Sequence, residues 1–147
     1  MADDFLAQVD RLFGFLEDAG FEVADRTVAA SFDNAYTSFR SAGLLVGVGR
    51  ERGHNYVEVG APGTSQYDGQ LLAELLGDTE GKRVSASERP GLDELARFLK
   101  RQLPALVAAF ASARREGTVS ALRRLKESRA EDLFGIAGAA TLPPNDR

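Results

Sequence analysis

The chain has 147 residues, of which 44% are hydrophobic and 27% are charged, and its formal net charge at pH 7 is −4. This length and composition are typical of one globular domain with a substantial core, and they exclude an intrinsically disordered chain. The absence of cysteine excludes a disulfide scaffold, a thiolate metal site and a cysteine nucleophile.

The first predicted element is an amphipathic helix that starts at Asp3 or Asp4 and ends near Gly20. Its acidic start differs from the basic start of a secretory signal, and the longest apolar run, residues 103–111, is far below the ~20 residues of a membrane helix. We therefore expect a cytoplasmic protein that does not span a membrane. The apolar residues of the helix recur at helical spacing: Phe5, Val9, Leu12, Phe13 and Leu16.

Residues 35–60 predict a three-stranded antiparallel meander, because short breakers separate three runs of alternating apolar residues. When Ser41-Ala42 and Arg52-Gly53 are treated as two-residue hairpin loops, Phe39 faces Leu44 across the first pair of strands. Side chains alternate along a strand, so this register gathers one apolar face. That face contains Ala35, Thr37, Phe39, Leu44, Val46, Val48, Val57 and Val59.

The opposite face of the meander contains Gly47 and Gly49 within the middle strand. In the predicted register Tyr36 and Glu58 flank Gly47, and Tyr56 faces Gly49. Three interpretations remain open: the tyrosine rings cover the glycines, the glycines form a shallow floor for a partner, or a bulge interrupts the strand. Tyr and Arg supply much of the binding energy at protein interfaces, so this face is the candidate partner-binding surface. Its predicted contact residues are Tyr36, Arg40, Tyr56 and Glu58.

Two elements flank the meander in the prediction. Residues 21–32 alternate weakly and are a candidate fourth strand. After the meander, Ser65 is the predicted N-cap of a short helix that ends at Gly77, with Asp68 at its third position. Residues 78–90 are polar and interrupted by glycine and proline, so a loop is predicted there.

The C-terminal third of the chain is predicted to be helical. Apolar residues at helical spacing run from Gly91 to Phe110, and Pro104 within this run is expected to kink or break the helix. Gly117-Thr118 is expected to end one helix and cap the next.

The predicted order is one helix, up to four strands and then three or four helices, which indicates an α+β fold with helices packed on the apolar face of the sheet. Residues 1–134 are expected to form a single domain, and residues 135–147 a flexible C-terminal tail.

Charge is distributed unevenly along the chain. Residues 1–96 contain eight Lys or Arg against seventeen Asp or Glu, a net charge of −9, whereas residues 97–129 contain nine against two, a net charge of +7. One interpretation is that the basic helices pack against an acidic body; the others are a surface for an acidic partner or for nucleic acid. The candidate basic patch is Arg114, Arg115, Arg123, Arg124, Lys126 and Arg129.

Motifs for catalysis and for cofactor binding are missing from the sequence. His54 is the single histidine, too few for a zinc site without cysteine, and there is no Gly-x-Ser-x-Gly nucleophile motif. The glycines of segment 47–53 do not have the dinucleotide-binding spacing and lie between strands. The register gives Glu58 no second carboxylate for acid–base chemistry. We therefore expect a protein that is not an enzyme and that binds neither a metal ion nor a cofactor.

Several landmarks are similar to those of a loose group of small bacterial α+β proteins, some of which look like immunity proteins for secreted bacterial toxins. The similarity covers residues 15–77 and implies a small binding protein; no catalytic residue transfers from it. The matching segments are Phe15-Leu16, Gly20-Phe21, Tyr36-Thr37-Ser38-Phe39-Arg40, the strand from Leu44 to Val48, Glu51-Arg52-Gly53, Val57-Glu58-Val59, Tyr67-Asp68, and Leu71-Leu72 to Gly77.

The sequence therefore leads to three functional hypotheses. The first is a non-enzymatic module that binds and occludes another protein through the sheet face. The second is binding of nucleic acid or an acidic partner by the C-terminal helices, with nucleic acid disfavoured by the acidic total charge. The third is a homodimer formed through a sheet edge or the last helix.

Overall fold

The structure is a computed structural model that describes residues 2–29 and 34–141, with side chains for residues 4–29 and 34–130. It confirms the α+β class: a helical N-terminus precedes a five-stranded antiparallel sheet, and helices follow. The helix α1 begins at Ala2, before Asp3 and Asp4, the two residues predicted as alternative caps. The elements are α1 (Ala2–Leu12), α2 (Gly14–Asp18), β1 (Glu22–Ala29), β2 (Asn34–Arg40), β3 (Leu45–Glu51), β4 (His54–Gly60), β5 (Tyr67–Asp68), α3 (Gly69–Leu76), α4 (Thr79–Ala86), α5 (Leu92–Ala109) and α6 (Arg115–Thr141).

The strands lie in chain order, so that each pairs with the next along the sequence. The predicted register of β3 and β4 is confirmed, because Val46 pairs with Val59. The two-residue turn between them is also confirmed: Arg52 and Gly53 have φ angles of 51° and 82°, the left-handed backbone that a type I′ hairpin requires.

The predicted turn between β2 and β3 is wrong. Arg40 pairs with Leu45, so the loop contains four residues, 41–44, and Phe39 pairs with Val46 instead of Leu44. A two-residue loop would have placed Ser and Ala in the left-handed backbone that favours Gly and Asn. The register is displaced by two residues, an even number, so every side chain stays on its predicted face.

The candidate fourth strand is confirmed at one edge of the sheet, and the prediction missed a strand at the other edge. The candidate fourth strand forms as β1, which has a bulge between Val23 and Asp25, and all of its residues are exposed. Positions 30–32 of that candidate lie outside the described residues. The prediction missed β5, whose two residues pair with Val59 and Glu58 of β4. Two residues are too few to show an alternating pattern.

The helix α3 begins at a different cap from the predicted one. Asp68 is its N-cap, and the carboxylate accepts a hydrogen bond from the Leu71 N–H at 3.0 Å, so the predicted cap at Ser65 is wrong. The predicted end is confirmed, since Gly77 has a φ of 67° in the left-handed region.

A helix, α4, replaces most of the predicted loop 78–90. Asp78 caps it and accepts a hydrogen bond from the Gly81 N–H at 2.8 Å. Burial alone would raise the pKa of Asp78, but hydrogen bonds from Gly81, Arg101 and Gln102 and the charge of Arg101 lower it. The helix contains one large apolar side chain, so the sequence carried no helical periodicity at this point.

The helix α5 passes through Pro104 without a break, so a break at that position is wrong. Proline removes the donor to the Lys100 carbonyl. Because Pro104 and Lys100 are both exposed, water can satisfy that carbonyl.

The last helix, α6, begins before the predicted cap. Thr118 lies in its first turn, and the Thr118 hydroxyl donates to the Ala109 carbonyl at the end of α5. The backbone of α6 is helical as far as Thr141, inside the segment for which a tail was predicted; residues 142–147 lie outside the described part of the chain.

The predicted apolar face of the sheet is the core. None of its eight residues is more than 6% exposed, and helices α1, α3 and α5 pack on it or beside it. Leu122 anchors α6, since its side chain is fully buried in the same cluster. The side chains that point to the other face of the sheet therefore lie away from these helices.

Candidate functional site

The side chains directed away from the helices form what we call the open face of the sheet. The bulge in β1 reverses the alternation at that point, so that Asp25, paired with Ser38, joins this face. Its charged residues Glu22, Asp25, Arg40 and Glu51 are exposed. The open face contains Glu22, Asp25, Thr27, Ala29, Asn34, Tyr36, Ser38, Arg40, Leu45, Gly47, Gly49, Glu51, His54, Tyr56, Glu58, Gly60 and Asp68.

Two tyrosine rings cover the glycines of the central strand. Tyr36 leans from β2 diagonally across Gly47, where an added β-carbon would lie 2.8 Å from the Tyr36 Cε1 atom. Tyr56 leans from β4 over Gly49, where an added β-carbon would lie 2.6 Å from the Tyr56 Cε2 atom. The first of the three interpretations is therefore correct. The second is wrong in its geometry, because the rings fill the proposed floor, and the continuous pairing of β3 excludes a bulge there.

The register error also changes which residues face each other. Tyr36 and Tyr56 both pair with Gly49, while Ser38 and Glu58 both pair with Gly47. The Tyr36 ring reaches Gly47 only because it lies diagonally across the strand.

A hydrogen bond joins β2 and β4 across β3, the strand between them. The Tyr36 hydroxyl donates to Oε2 of Glu58 at 3.1 Å, so the ring of Tyr36 is fixed at both ends. Packing on glycine and this hydrogen bond leave the ring little rotamer freedom.

Burial and the charges around the rings raise the pKa of both phenols. Burial raises the pKa of Tyr36 well above its ordinary value, and the charge and hydrogen bond of Glu58 raise it further, with a smaller contribution from Asp25. The pKa of Tyr56 is raised by burial, then by Glu58 and Glu51. Three carboxylates therefore act on a pair of neutral aromatic rings. Sequence reasoning found Glu58 but missed Asp25 and Glu51; strand alternation was the signal for Glu51, and the bulge hid Asp25.

Arg40 does not belong to this cluster. It is exposed and pairs with Leu45 at the other end of β2, about 13 Å along the strand from Tyr36 at ~3.3 Å per residue. It borders a shallow cleft of about 440 Å³ together with Glu22 and Pro62. The structure thus brings together three of the four predicted contact residues, Tyr36, Tyr56 and Glu58.

The predicted basic patch is divided. Arg129 forms an ion pair with Asp68, at 3.0 Å between Nη2 and Oδ2, and Nε of Arg115 donates to the Phe110 carbonyl at 3.1 Å. Arg101 likewise pairs with Asp78 at 2.7 Å. These contacts agree with basic helices packed against an acidic body. The four remaining cations of the patch are exposed: Arg114, Arg123, Arg124 and Lys126.

Those exposed cations do not share one helix face. Arg123 and Lys126 lie three residues apart on one flank of α6, whereas Arg124 lies about 100° further around the helix axis. The part of the patch that the structure leaves exposed is therefore spread over both flanks.

The remaining chemistry of the described residues is limited. The Nδ1 atom of His54 lies 2.7 Å from the Glu88 carbonyl, so this ring nitrogen is engaged by the backbone. Among the described side chains, residues 4–29 and 34–130, no three of His, Asp or Glu gather as a metal site. None of the helices within residues 2–29 and 34–141 combines the length and the apolar character that a membrane crossing needs.

The fold and the open face together define a small α+β protein whose antiparallel sheet carries its helices on one side. No family model, curated protein or solved structure matches the chain.

Proposed function

We propose that this chain is a non-enzymatic, cytoplasmic protein-binding module, of the toxin-immunity type, that acts by covering a surface of a partner protein. One observation carries the proposal: the rings of Tyr36 and Tyr56 are held over the glycines of an open sheet. Rigid tyrosines are effective contact residues because they offer a large amphipathic area at a small entropic cost.

The shape of the open face suits a macromolecule better than a small ligand. Small-molecule sites are clefts of about 300–1,000 Å³, whereas the tyrosine rings fill the space above the glycines and the open cleft beside them measures about 200 Å³. The Tyr36 hydroxyl is hydrogen-bonded to Glu58, so the face offers aromatic and polar contacts.

The size of the open face sets the extent of the interface. Four strands ~4.8 Å apart and seven residues of ~3.3 Å each give an area of roughly 440 Å². A standard interface buries about 800 Å² per partner. The partner therefore also contacts the rim of the sheet, where Arg40 lies.

The experiment is affinity capture from a lysate of the native host with the full chain as bait. Glu58→Lys and Arg40→Glu alter the face and its rim. Their matched controls are Glu80→Lys and Arg83→Glu on α4, where both side chains are 67% exposed. We expect one protein to be recovered by the wild type and by both controls, and recovered less by Glu58→Lys and Arg40→Glu. Equal recovery with all five baits would refute the proposal.

A further inference from the structure

We propose that the partner segment docking on the open face is cationic: an arginine or lysine side chain of the partner lies on the rings of Tyr36 and Tyr56, beside the carboxylates of Asp25, Glu51 and Glu58. This inference rests on the proposed function and names the chemistry of the partner.

The packing of the rings determines which part of the aromatic surface a partner can contact. The hydroxyl end of each ring lies over a glycine of β3. For Tyr56, the Cζ, Oη and Cε2 atoms all lie close to an added β-carbon on Gly49, so one side of this ring lies on the strand and the other side faces away from it. The face of an aromatic ring carries the negative part of its quadrupole and attracts ammonium and guanidinium groups. A planar guanidinium also stacks on a flat ring, which favours arginine over lysine.

The charges reinforce that attraction. Glu58 and Glu51 both act on Tyr56, and Glu58 and Asp25 both act on Tyr36. Besides burial, these carboxylates raise the pKa of both phenols, and their negative potential also attracts a cation. The Tyr36 hydroxyl also points at Glu58, so a carboxylate lies 3.1 Å from the edge of the aromatic surface.

The cations of the described chain near the tyrosine cluster have contacts of their own. Arg50 lines the same shallow cleft as Tyr36 and Tyr56. Its guanidinium lies over the Phe5 ring at 4.9 Å, and its Nε donates to Asn55.

The other cations are placed away from the rings. Arg129 of α6 pairs with Asp68, the strand neighbour of Glu58. Among the described Lys and Arg side chains, the one that alternates onto the open face is Arg40, at the far end of β2. Arg26 of β1 points to the helical side, where its guanidinium pairs with Asp10 at 3.3 Å. A cationic partner side chain would therefore complement the charge of the tyrosine cluster.

The chain contains three tyrosines, which makes a direct test practical. Full-length protein with ¹³C-labelled tyrosine gives three sets of ring signals by NMR, and Tyr67, which is 5% exposed and points into the core, is an internal reference. Hexa-arginine peptide is the probe, and hexaglutamate is the matched anionic peptide. We expect hexa-arginine to shift the Tyr36 and Tyr56 signals saturably, with Tyr67 unmoved and with weaker binding as salt rises.

Variants separate the aromatic contribution from the charges. Glu58→Gln and Glu51→Gln should each weaken hexa-arginine binding about two- to fivefold, the range of one exposed charge pair, while Glu80→Gln on α4 changes nothing. Tyr56→Leu should weaken it by a similar factor because a cation–π contact is lost, and Tyr56→Phe should restore it. Thermal melts of each variant verify that the chain is folded.

Several results would overturn the inference. Unmoved Tyr36 and Tyr56 signals, equal shifts with hexaglutamate, or unchanged affinity in both Tyr56→Leu and Glu58→Gln would each do so. A captured partner that depends on Glu58, combined with no hexa-arginine effect, would remove the cationic partner and leave the proposed function intact. The expected hexa-arginine effect with a captured partner indifferent to the face would remove the proposed function alone.

Discussion

Substituting Gly49 by alanine tests the packing of the tyrosine rings through the sign of a stability change. In an open strand this substitution stabilises, because glycine within a strand costs about 0.5–1 kcal/mol relative to alanine. Here the new β-carbon would overlap the Tyr56 ring, and overpacking costs about 1–3 kcal/mol. The expected net effect is a loss of about 1 kcal/mol in the free energy of unfolding, which chemical denaturation with urea measures.

A double-mutant cycle isolates the ring as the cause. In a Tyr56→Ala background the overlap is gone, so Gly49→Ala should stabilise by about 0.5–1 kcal/mol. Gly117→Ala on α6, where no atom lies within 4 Å of the added β-carbon, is the control and should stabilise in either background. If Gly49→Ala stabilises the wild type as much as it stabilises the Tyr56→Ala variant, the ring does not lie over Gly49 and the description of the open face is wrong.

Three other predictions concern single groups. Asp78→Ala should lower the free energy of unfolding by about 1–2 kcal/mol, and since the pKa of Asp78 is lowered, its contribution is present above ~pH 4 and lost as the pH falls; acid denaturation checks this. Ultraviolet titration should show Tyr36 and Tyr56 ionising above the ordinary value near 10, with Tyr36 brought closer to it by Glu58→Gln. Leu122→Ala should destabilise by about 2–5 kcal/mol in urea, because its fully buried side chain joins α6 to the core.

Each of these has a clear contrary result. An acid transition identical in the Asp78→Ala variant would mean that the cap contributes nothing below neutral pH. Phenol ionisation near 10 in the folded state would contradict the packing and charge of the tyrosine cluster. A Leu122→Ala variant as stable as the wild type would show that α6 is not anchored there.

The two faces of the sheet were predictable because side chains alternate along a strand. A register error of an even number of residues therefore leaves every side chain on its predicted face. Phe39 was assigned to the wrong partner in β3, yet its register error of two residues left it in the core. The turn at Arg52-Gly53 was predictable because glycine supplies the left-handed backbone there.

Other features could not be predicted from local patterns. Asp78 caps a helix whose sequence is almost entirely polar, so no apolar periodicity marked that helix. Asp68 both ends β5 and caps α3. Its role as the cap was missed because Ser65, three residues earlier, also fits an N-cap.

In the candidate site, Tyr36, Tyr56 and Glu58 were predicted from the sequence. The diagonal position of the Tyr36 ring was not, because it depends on the true register and on side-chain packing.

Site-specific photo-crosslinking in the native host tests most directly whether the open face is the contact surface. A benzophenone amino acid replaces Thr27, an exposed open-face residue paired with Tyr36, or Val107, which is 47% exposed on α5. We predict a covalent adduct with one partner protein from position 27 and none from position 107. Adducts from position 107 alone, or equal adducts from both positions, would contradict the account.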